Sequence, residues 1–588
     1  MLAFVITKRL APMAEGVLPG ASVVGPDSVP VSGSAIAAPG LIRCEKTNAE
    51  AAALSLQINL DAKALATLKA EPLPDGSALR PMGELVLQTC LLPERDRPYL
   101  LTLELARHRV MLILNKLEEW QAFESLADDP VMSVVDHARD AFTRALVALP
   151  HGAEPDDEAD RLALRALWIA MEASERLAVR QAELDFGAPA RAEMHARAAD
   201  DIGATQPVLH PTRSGLVLAH APAIGCAISP LVFSEQARAL VSRTADFITM
   251  PVRWVEMEPA EGEYAFARTD RWIEWAVRAA KLPVVAGPVV DFRPHAVPEW
   301  LYIWENDYDT LRELVYEHMK AVVTRYRRTV SRWTVCSGLH ANRNFAFTFE
   351  QMIDLTRICV LVVRKLHPKA KVQVEIVEPW GEHHSADRRS LPPTLYAEML
   401  AQAGIQFDTL ALRVQMGVPA PGLATRDLMA FSAMLDQYAA LDRPIALSAV
   451  GVPAAPVEPQ AIADPADPSD LSDPGDLGSV QGTEADPNAG RSGGSWRQAW
   501  SPQSQADWAS AYLSVALAKP YIQSVCWQDL VDPPSSAEMP KGALADASFS
   551  ARPVLERLAD LRGALVRGEM PAQARAFAGH PMAIQPTA

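Results

Sequence analysis

Between residues 222 and 566 the sequence alternates eight times between a short apolar run, rich in β-branched residues, and an amphipathic helical segment. We predict the strands at 223–229, 246–252, 283–291, 331–337, 371–377, 408–416, 444–450 and 522–530. We predict the helices at 234–243, 269–280, 310–328, 348–366, 394–403, 425–441, 504–518 and 551–566. Apolar strands without clean alternation are typical of parallel sheets that are buried on both faces. Eight such units favour an α/β fold, the closed (β/α)8 TIM barrel, over an open doubly wound sheet.

The residues before the barrel follow two other patterns. Residues 1–95 contain period-two alternation at 54–60 and 83–88, which predicts a small β-rich module. Residues 96–215 change to helical spacing and predict a helical accessory segment that packs on the main domain. The sequence does not exclude that these first 200 or so residues carry the function and that the barrel supports them.

Two further segments are predicted to lack a fold of their own. Residues 453–490 interrupt the barrel after its seventh strand with seven Pro, six Asp, two Glu and neither Lys nor Arg. Such a segment buries too little apolar surface to offset its loss of conformational entropy, so we predict a disordered acidic insertion. We also predict a flexible tail at 567–588.

The charge, the hydrophobic pattern and the cysteine content of the chain argue against several classes of protein. The chain has 72 Asp and Glu against 55 Lys and Arg, a net charge of −17, which argues against nucleic-acid binding. No run of eighteen apolar residues occurs, so we predict no membrane span. The six cysteines are scattered without a CxxC pair, which predicts neither a disulfide framework nor a zinc site and favours the cytoplasm. We predict no metal and no cofactor, and the oligomeric state stays open.

Candidate site residues follow from one rule of barrels, that reacting groups stand at the C-terminal ends of the strands. The candidate catalytic carboxyls there are Glu375, Glu378 and Asp529. The candidate substrate-binding residues are Arg253, Trp254, Asp291, Trp300, Glu382, Arg413, Gln415 and Trp527. Tryptophan faces stack on the C–H side of sugar rings while fixed polar groups bind hydroxyls, so we predict a carbohydrate as the partner.

Five segments of the barrel match a known family in order and spacing. They are Met250-Pro-Val-Arg-Trp-Val-Glu-Met-Glu-Pro-Ala-Glu-Gly-Glu-Tyr-Ala-Phe266, Val297-Pro-Glu-Trp300, residues 349–372, Ala411-Leu-Arg-Val-Gln-Met-Gly417 and Val525-Cys-Trp-Gln-Asp-Leu530. Together they resemble glycoside hydrolase family 10, the β-1,4-xylanase family. The resemblance spans the barrel and none of the first 200 residues. It implies a TIM barrel that acts on β-linked, xylan-type carbohydrate.

The resemblance fails at the two positions that carry the family's chemistry. In that family the acid/base is a Glu after strand 4 and the nucleophile is a Glu on strand 7. The matching positions here are Gly338 and Ser448, and neither 331–346 nor 443–457 contains any Glu. Retaining hydrolysis needs two carboxyls about 5–5.5 Å apart. The family's double displacement therefore cannot run at these positions.

Two hypotheses of different classes remain. The first is a glycoside hydrolase-like enzyme in which two of the remaining carboxyls, such as Glu375 and Asp529, act across the barrel mouth as an inverting pair. The second is a non-catalytic protein, in which the barrel binds carbohydrate or serves as a scaffold. The first requires two carboxyls that lie close together and are not paired with arginine.

Overall fold

The computed structural model describes residues 1–7, 16–26, 29–31, 33–68, 71–149, 157–186, 210–212, 215–217, 222–386, 389–458, 490–533 and 538–578. Most of the predicted acidic insertion, 459–489, and the end of the predicted tail, 579–588, lie outside these residues. No helix in the described part of the chain is both long enough and apolar enough to cross a bilayer.

A β-rich module precedes the barrel, as predicted. Its elements are β1 (Leu2–Val5), β2 (Gly16–Val17), β3 (Ser22–Val24), β4 (Gly33–Ala38), β5 (Leu41–Lys46), β6 (Ala53–Leu60), the short helix α1 (Ala62–Ala66), β7 (Gly83–Gln88) and β8 (Tyr99–Leu100). One sheet has the order β2-β4-β5-β1-β8, and the other contains β7-β6-β3. The alternating runs at 54–60 and 83–88 form the neighbouring antiparallel strands β6 and β7.

Helices occupy the next part of the chain. They are α2 (Leu101–Glu119), α3 (Ala122–Ser125), α4 (Pro130–Val147) and α5 (Asp157–Phe186), followed by a hairpin of β9 (His210–Thr212) and β10 (Gly215–Val217). Helix α2 is tied to the barrel by Arg109, whose guanidinium donates two hydrogen bonds of 2.7 Å to the buried carboxylate of Asp427. A paired buried charge of this kind fixes how the helix sits against the barrel.

The barrel is closed and parallel, which confirms the predicted fold. Its strands are β11 (Ala223–Ala227), β12 (Phe247–Met250), β13 (Val284–Ala286), β14 (Val290–Asp291), β15 (Arg332–Ser337), β16 (Lys371–Ile376), β17 (Thr409–Gln415), β18 (Ile445–Gly451) and β20 (Ile522–Trp527). The first and last of these, β11 and β20, pair in parallel and close the sheet. The predicted third strand is two pieces, β13 and β14, and both pair with β15.

One strand from the barrel region completes the N-terminal module. Strand β19 (Ser495–Trp496) lies just after the insertion and pairs antiparallel with β7, as the fourth strand of the second sheet. The Trp496 side chain is buried, and its indole N–H donates to Glu175 of α5 at 2.8 Å. The module, the helices and the barrel thus share one hydrophobic core.

The helices around the barrel are α6 (Glu235–Thr244), α7 (Trp254–Met257), α8 (Ala267–Glu274), α9 (Tyr308–Tyr326), α10 (Phe349–Leu366), α11 (His383–Ala386), α12 (Pro393–Gln402), α13 (Leu428–Ala439), α14 (Pro502–Ala518), α15 (Pro553–Arg567) and α16 (Ala572–Arg575). Eight of them were predicted, and these begin and end within three residues of their predicted limits, except that the second, α8, continues as a π-helix at Trp275–Ala280. The short helices α7, α11 and α16 were not predicted. Short 3-10 turns lie at Glu299–Trp304, Leu339–Ala341 and Ala576–Ala578. Side chains of Ser234, Thr348, Asp427 and Ser501 cap helix N-termini, which explains these starting points.

The predicted flexible tail at 567–588 is corrected over its first part. Residues 572–578 form α16 and a 3-10 turn, Ala574 is fully buried, and the Phe577 ring packs 5.0 Å from that of Trp496. The tail sequence is rich in alanine and has one aromatic anchor, and these small apolar residues pack on α14 and α5.

Candidate functional site

The carboxyl ends of the barrel strands surround a small cavity of about 50 Å³. Six of the residues that line it were singled out in the sequence analysis: Arg253, Asp291, Glu375, Arg413, Ser448 and Asp529. Most of the residues that line the cavity are polar, and it has room for a few water molecules. A sugar ring would have to lie above it, with at most a hydroxyl group pointing in.

Glu375 occupies the centre of this mouth and is only 2% exposed. One carboxylate oxygen, Oε1, accepts hydrogen bonds from the Ser337 hydroxyl at 2.7 Å and from Nε of Arg413 at 3.1 Å. The other oxygen accepts from the Ser448 hydroxyl at 2.8 Å. Ser337 ends strand β15 and Ser448 lies in strand β18. Their hydroxyl groups, together with Arg413, hold the Glu375 carboxylate by both of its oxygens.

Arg413 also pairs with Glu538, a residue that was not predicted. Glu538 in turn accepts from His295, whose Nε2 lies 2.7 Å away, and lies 3.5 Å from the guanidinium of Arg293. Arg293 forms a 2.5 Å pair with the buried Asp291. Arg293 and His295 follow Asp291 by two and four residues, directly after strand β14. The rule that functional groups stand at strand ends could therefore have identified them from the sequence. Glu538 lies in a loop after strand β20, where no local pattern marks it.

The charges of this network keep its carboxylates ionised. Burial by itself raises the pKa of Asp291, but the charge and hydrogen bonds of Arg293 hold that pKa below its usual range. Burial acts in the same way on Glu538, and Arg413, Arg293 and His295 together hold its pKa well below the ordinary value. These groups are therefore acceptors and ion-pair partners at neutral pH. None of them is a proton donor.

The pKa of Asp529 is shifted in the opposite direction, upward. Burial, followed by the negative charge of nearby Glu538, raises the pKa of its carboxyl to about 8, although Arg253 and Arg413 act to lower it. Its side chain makes neither a hydrogen bond nor an ion pair with the described residues. Asp529 is thus a protonated carboxylic acid at pH 7, in the same cavity as the ionised network.

The backbone at Gly338, which the sequence analysis matched to the family's acid/base, disfavours a side chain. Gly338 has φ +61°, in the left-handed region, and a Cβ atom there would lie 3.2 Å from a methyl group of Val377. A glutamate at 338 would have to take up this conformation next to a packed valine. Gly338 therefore allows the chain to turn directly after strand β15, in a conformation that a glutamate would not readily adopt.

The predicted aromatic platform is not present, and this corrects the interpretation of two tryptophans. Trp254 is 1% exposed, and its ring stacks 4.3 Å from that of His318. Trp527 is 0% exposed and donates to the carbonyl of Gly542 at 2.9 Å. Both rings belong to the core, because neighbouring helices and loops surround them. Trp300 is half-buried and donates to the carbonyl of Glu258 at 3.0 Å.

Three other predicted residues do not line the mouth. Gln415 is 4% exposed, and its Nε2 lacks a hydrogen-bond partner among the described residues. Glu378 has φ +44°, and its Oε2 lies 3.5 Å from Nδ1 of the buried His383. Glu382 accepts from Arg426 and from the backbone N–H of Gly422. Of the predicted catalytic carboxyls, the fold brings Glu375 and Asp529 together and leaves Glu378 outside.

Arg253 is the predicted residue that is most open to solvent at the mouth. Its side chain is 40% exposed and pairs with Glu256 of the same short helix at 3.2 Å. The described residues contain no group of three or more His, Cys, Asp or Glu side chains arranged to hold a metal ion.

Comparison with known proteins finds one family model and a set of solved structures that are similar to the barrel. Residues 216–349 match the model of the family described as glycosyl hydrolase family 10. Similar solved structures include xylanase 10B from Thermotoga petrophila RKU-1 in complex with xylobiose, at 14% identity, covering 59% of this chain and 94% of that chain, with a TM-score of 0.41. Native xylanase 10B from Thermotoga maritima is 15% identical, with 59% of this chain and 95% of that chain covered and a TM-score of 0.41. Native xylanase10C from Cellvibrio japonicus is also 15% identical, with 59% of this chain and 71% of that chain covered and a TM-score of 0.42. The barrel of this chain resembles glycosyl hydrolase family 10, and the family model itself matches the first three strand–helix units and the fourth strand.

Proposed function

We propose that this protein binds a β-linked, xylan-type carbohydrate at the barrel mouth and does not hydrolyse it by double displacement. The observation that carries the proposal is the environment of Glu375. Both of its oxygens accept hydrogen bonds, from Ser337 and Arg413 on one side and from Ser448 on the other. A carboxylate held in this way is a structural anion and a poor nucleophile.

The pairing of the other carboxyls supports the same proposal. A hydrolase of either stereochemical class needs two carboxyls that are free to exchange protons or attack. Asp291 is held by Arg293 and Glu538 by Arg413, so Asp529 is left as the one candidate carboxyl at the mouth, among the described residues, that has no cation bonded to it. Asp529 could serve as an acid, but no second carboxyl among the described residues of the mouth is free to serve as the base. This arrangement supports binding of a carbohydrate better than its hydrolysis.

The groups that can reach a ligand are donors on the rim of the mouth. The side chain of Arg253 is 40% exposed, that of His295 30% and that of Arg293 20%. Guanidinium and imidazole N–H groups suit the hydroxyl and ring oxygens of a sugar. We place this function in the cytoplasm, as the cysteine pattern favours.

The test combines two measurements on the full chain. Reducing-end release from β-1,4-xylo- and gluco-oligosaccharides should stay at the level of the blank for wild type and for Glu375→Gln. Titration calorimetry with xylotriose should show binding that weakens in Arg253→Ala and is unchanged in Arg278→Ala, a 78% exposed arginine on the π-helix. Release by wild type that disappears in Glu375→Gln would refute the proposal, and so would the absence of xylotriose binding.

The pKa of Asp529 favours one second candidate, an inverting hydrolase. A carboxyl with a pKa of about 8 is protonated at neutral pH and is suited to protonate a leaving-group oxygen. In this case wild type would release reducing ends, and Asp529→Asn would abolish the release. The variant Glu274→Gln, which changes an exposed surface carboxylate, would keep it.

A further inference from the structure

We propose a second carbohydrate site, in the cavity between the N-terminal module and the barrel, that takes a single uncharged sugar residue. The cavity has a volume of about 230 Å³. Strands β3, β6 and β7 and helix α2 form its module side, and the loop after β16 together with α13 forms its barrel side. The proposal rests on the proposed function, because it assigns the same class of ligand to a different place.

A row of neutral polar side chains crosses the module side of the cavity. Ser22 pairs with Ser55 across β3 and β6, and Ser55 pairs with Gln88 across β6 and β7. Directly paired residues lie on the same face of a sheet, and neighbouring strands are about 4.8 Å apart. The three side chains therefore form a short ladder of hydrogen-bonding groups that faces the cavity.

The side chains of these groups find no hydrogen-bond partner in the part of the chain that the structure describes. Ser22 and Ser55 are each 6% exposed, and neither hydroxyl makes a hydrogen bond with the described residues. The same holds for the side chain of Gln88 and for His108 of α2, which also line the cavity. Buried polar groups are nearly always hydrogen-bonded, so the two buried serines, with the half-buried Gln88 and His108 beside them, call for a ligand or water that bonds them.

The charges around the cavity are already compensated. Arg426 pairs with Glu382, and Arg109 pairs with Asp427 at 2.7 Å. Burial, followed by the positive charge of Arg109, lowers the pKa of His108 to about 4, so its imidazole is neutral at pH 7. A phosphate or carboxylate ligand would find no uncompensated cation among these lining groups. A neutral ligand with many hydroxyl groups fits them.

The barrel side supplies an apolar surface for the same ligand. Trp380 lines the cavity beside Pro379, Pro392 and Pro393. An indole with prolines on one side and hydroxyl and amide groups on the other is the arrangement that binds a sugar ring, whose C–H face is apolar and whose rim is polar. The volume lies below the roughly 300–1,000 Å³ of drug-sized pockets, which suits one ring better than a polymer chain.

The experiment measures the binding of methyl β-D-xylopyranoside to the full chain by ligand-observed NMR and titration calorimetry. Ala433 of α13 lines the cavity, so Ala433→Phe fills it, and Ala440→Phe at the exposed end of the same helix is the matched control. We expect Ala433→Phe to weaken binding at least tenfold and Ala440→Phe to leave it unchanged. Gln88→Ala removes one hydrogen bond and should weaken binding about three- to tenfold.

The outcomes separate this site from the mouth. The second site is overturned if Ala433→Phe still binds the monosaccharide as wild type does. It is also overturned if wild type does not bind the monosaccharide at all. Arg253→Ala tests the mouth alone: it should weaken xylotriose binding and leave the binding of methyl xyloside intact. Inorganic phosphate and glucuronate should not compete with methyl xyloside, and competition by either would overturn the assignment of a neutral ligand.

Discussion

Replacement of Arg413 by methionine tests the network at the barrel mouth. The Arg413 side chain is 9% exposed and bonds two carboxylates, Glu375 and Glu538. Methionine keeps the length and apolar stem of arginine and removes the charge. Glu538 would keep His295 at 2.7 Å and Arg293 at 3.5 Å, but Glu375 would keep only the hydroxyl groups of two serines.

The expected cost follows from leaving Glu375 buried without a cation. Removal of one partner of a buried ion pair lowers the free energy of unfolding by about 3–5 kcal/mol. We expect Arg413→Met to fall in this range. The control Arg278→Met removes a pair with Glu274 whose side chains are 78% and 61% exposed, and surface pairs contribute about 0–1 kcal/mol.

Urea unfolding monitored by tryptophan fluorescence measures both variants, and its pH dependence gives a second check. Burial acts to raise the pKa of Glu538, and the charge of Arg413 contributes most to holding it well below its usual value. What Arg413 adds to stability through Glu538 is therefore complete above the unfolded pKa of about 4.3 and is lost as the pH falls from there through the folded-state pKa. The gap between wild type and Arg413→Met should therefore be largest near pH 7 and shrink below about pH 4. A loss under 1 kcal/mol at pH 7, or a gap that stays equal at pH 3, would refute the account of the network.

Three further predictions concern single positions. The folded-state pKa of Asp529 is raised to about 8, so the folded chain holds more protons than the unfolded chain between about pH 4 and 8. The free energy of unfolding should therefore fall as the pH rises through this range. Asp529→Asn should reduce this pH dependence, measured as the urea midpoint at each pH. Gly338→Glu should lower the free energy of unfolding by about 1–2 kcal/mol, from its left-handed φ and the contact with Val377, and should not create reducing-end release. Arg109→Leu should cost about 3–5 kcal/mol in the same unfolding assay, because Asp427 would stay buried without its cation; a cost near zero would mean that helix α2 is held by apolar packing alone.

The barrel was predictable because its evidence is local. Each strand is a short apolar run and each helix has an amphipathic period, and side chains cap several of the helices, so composition and period within about twenty residues were enough to place them. The third strand shows the limit of this approach. Its apolar run at 283–291 is continuous in sequence, yet the chain forms two short strands, β13 and β14, around the dipeptide Gly287-Pro288.

The candidate site was predictable only in part. The rule that strand ends carry function brought out Glu375, Arg413 and Asp529, which share one cavity. The same rule selected Trp254 and Trp527, which are buried, since a strand end does not say whether a large side chain turns into the core or toward solvent. Those two tryptophans pack because neighbouring helices and loops surround them, and that information lies elsewhere in the chain.

Sequence by itself determined the eight strand–helix units, the absence of any Glu from 331–346 and 443–457 and the acidic composition of 453–490, because each of these can be read from consecutive residues. Only the tertiary structure decided which charges are compensated. Glu538 meets Arg413 across 125 residues, and β19 joins β7 across about 410, so that the module and the barrel enclose a common cavity. Electrostatic pairing and burial depend on distance in space, and no pattern along the chain encodes which distant groups meet.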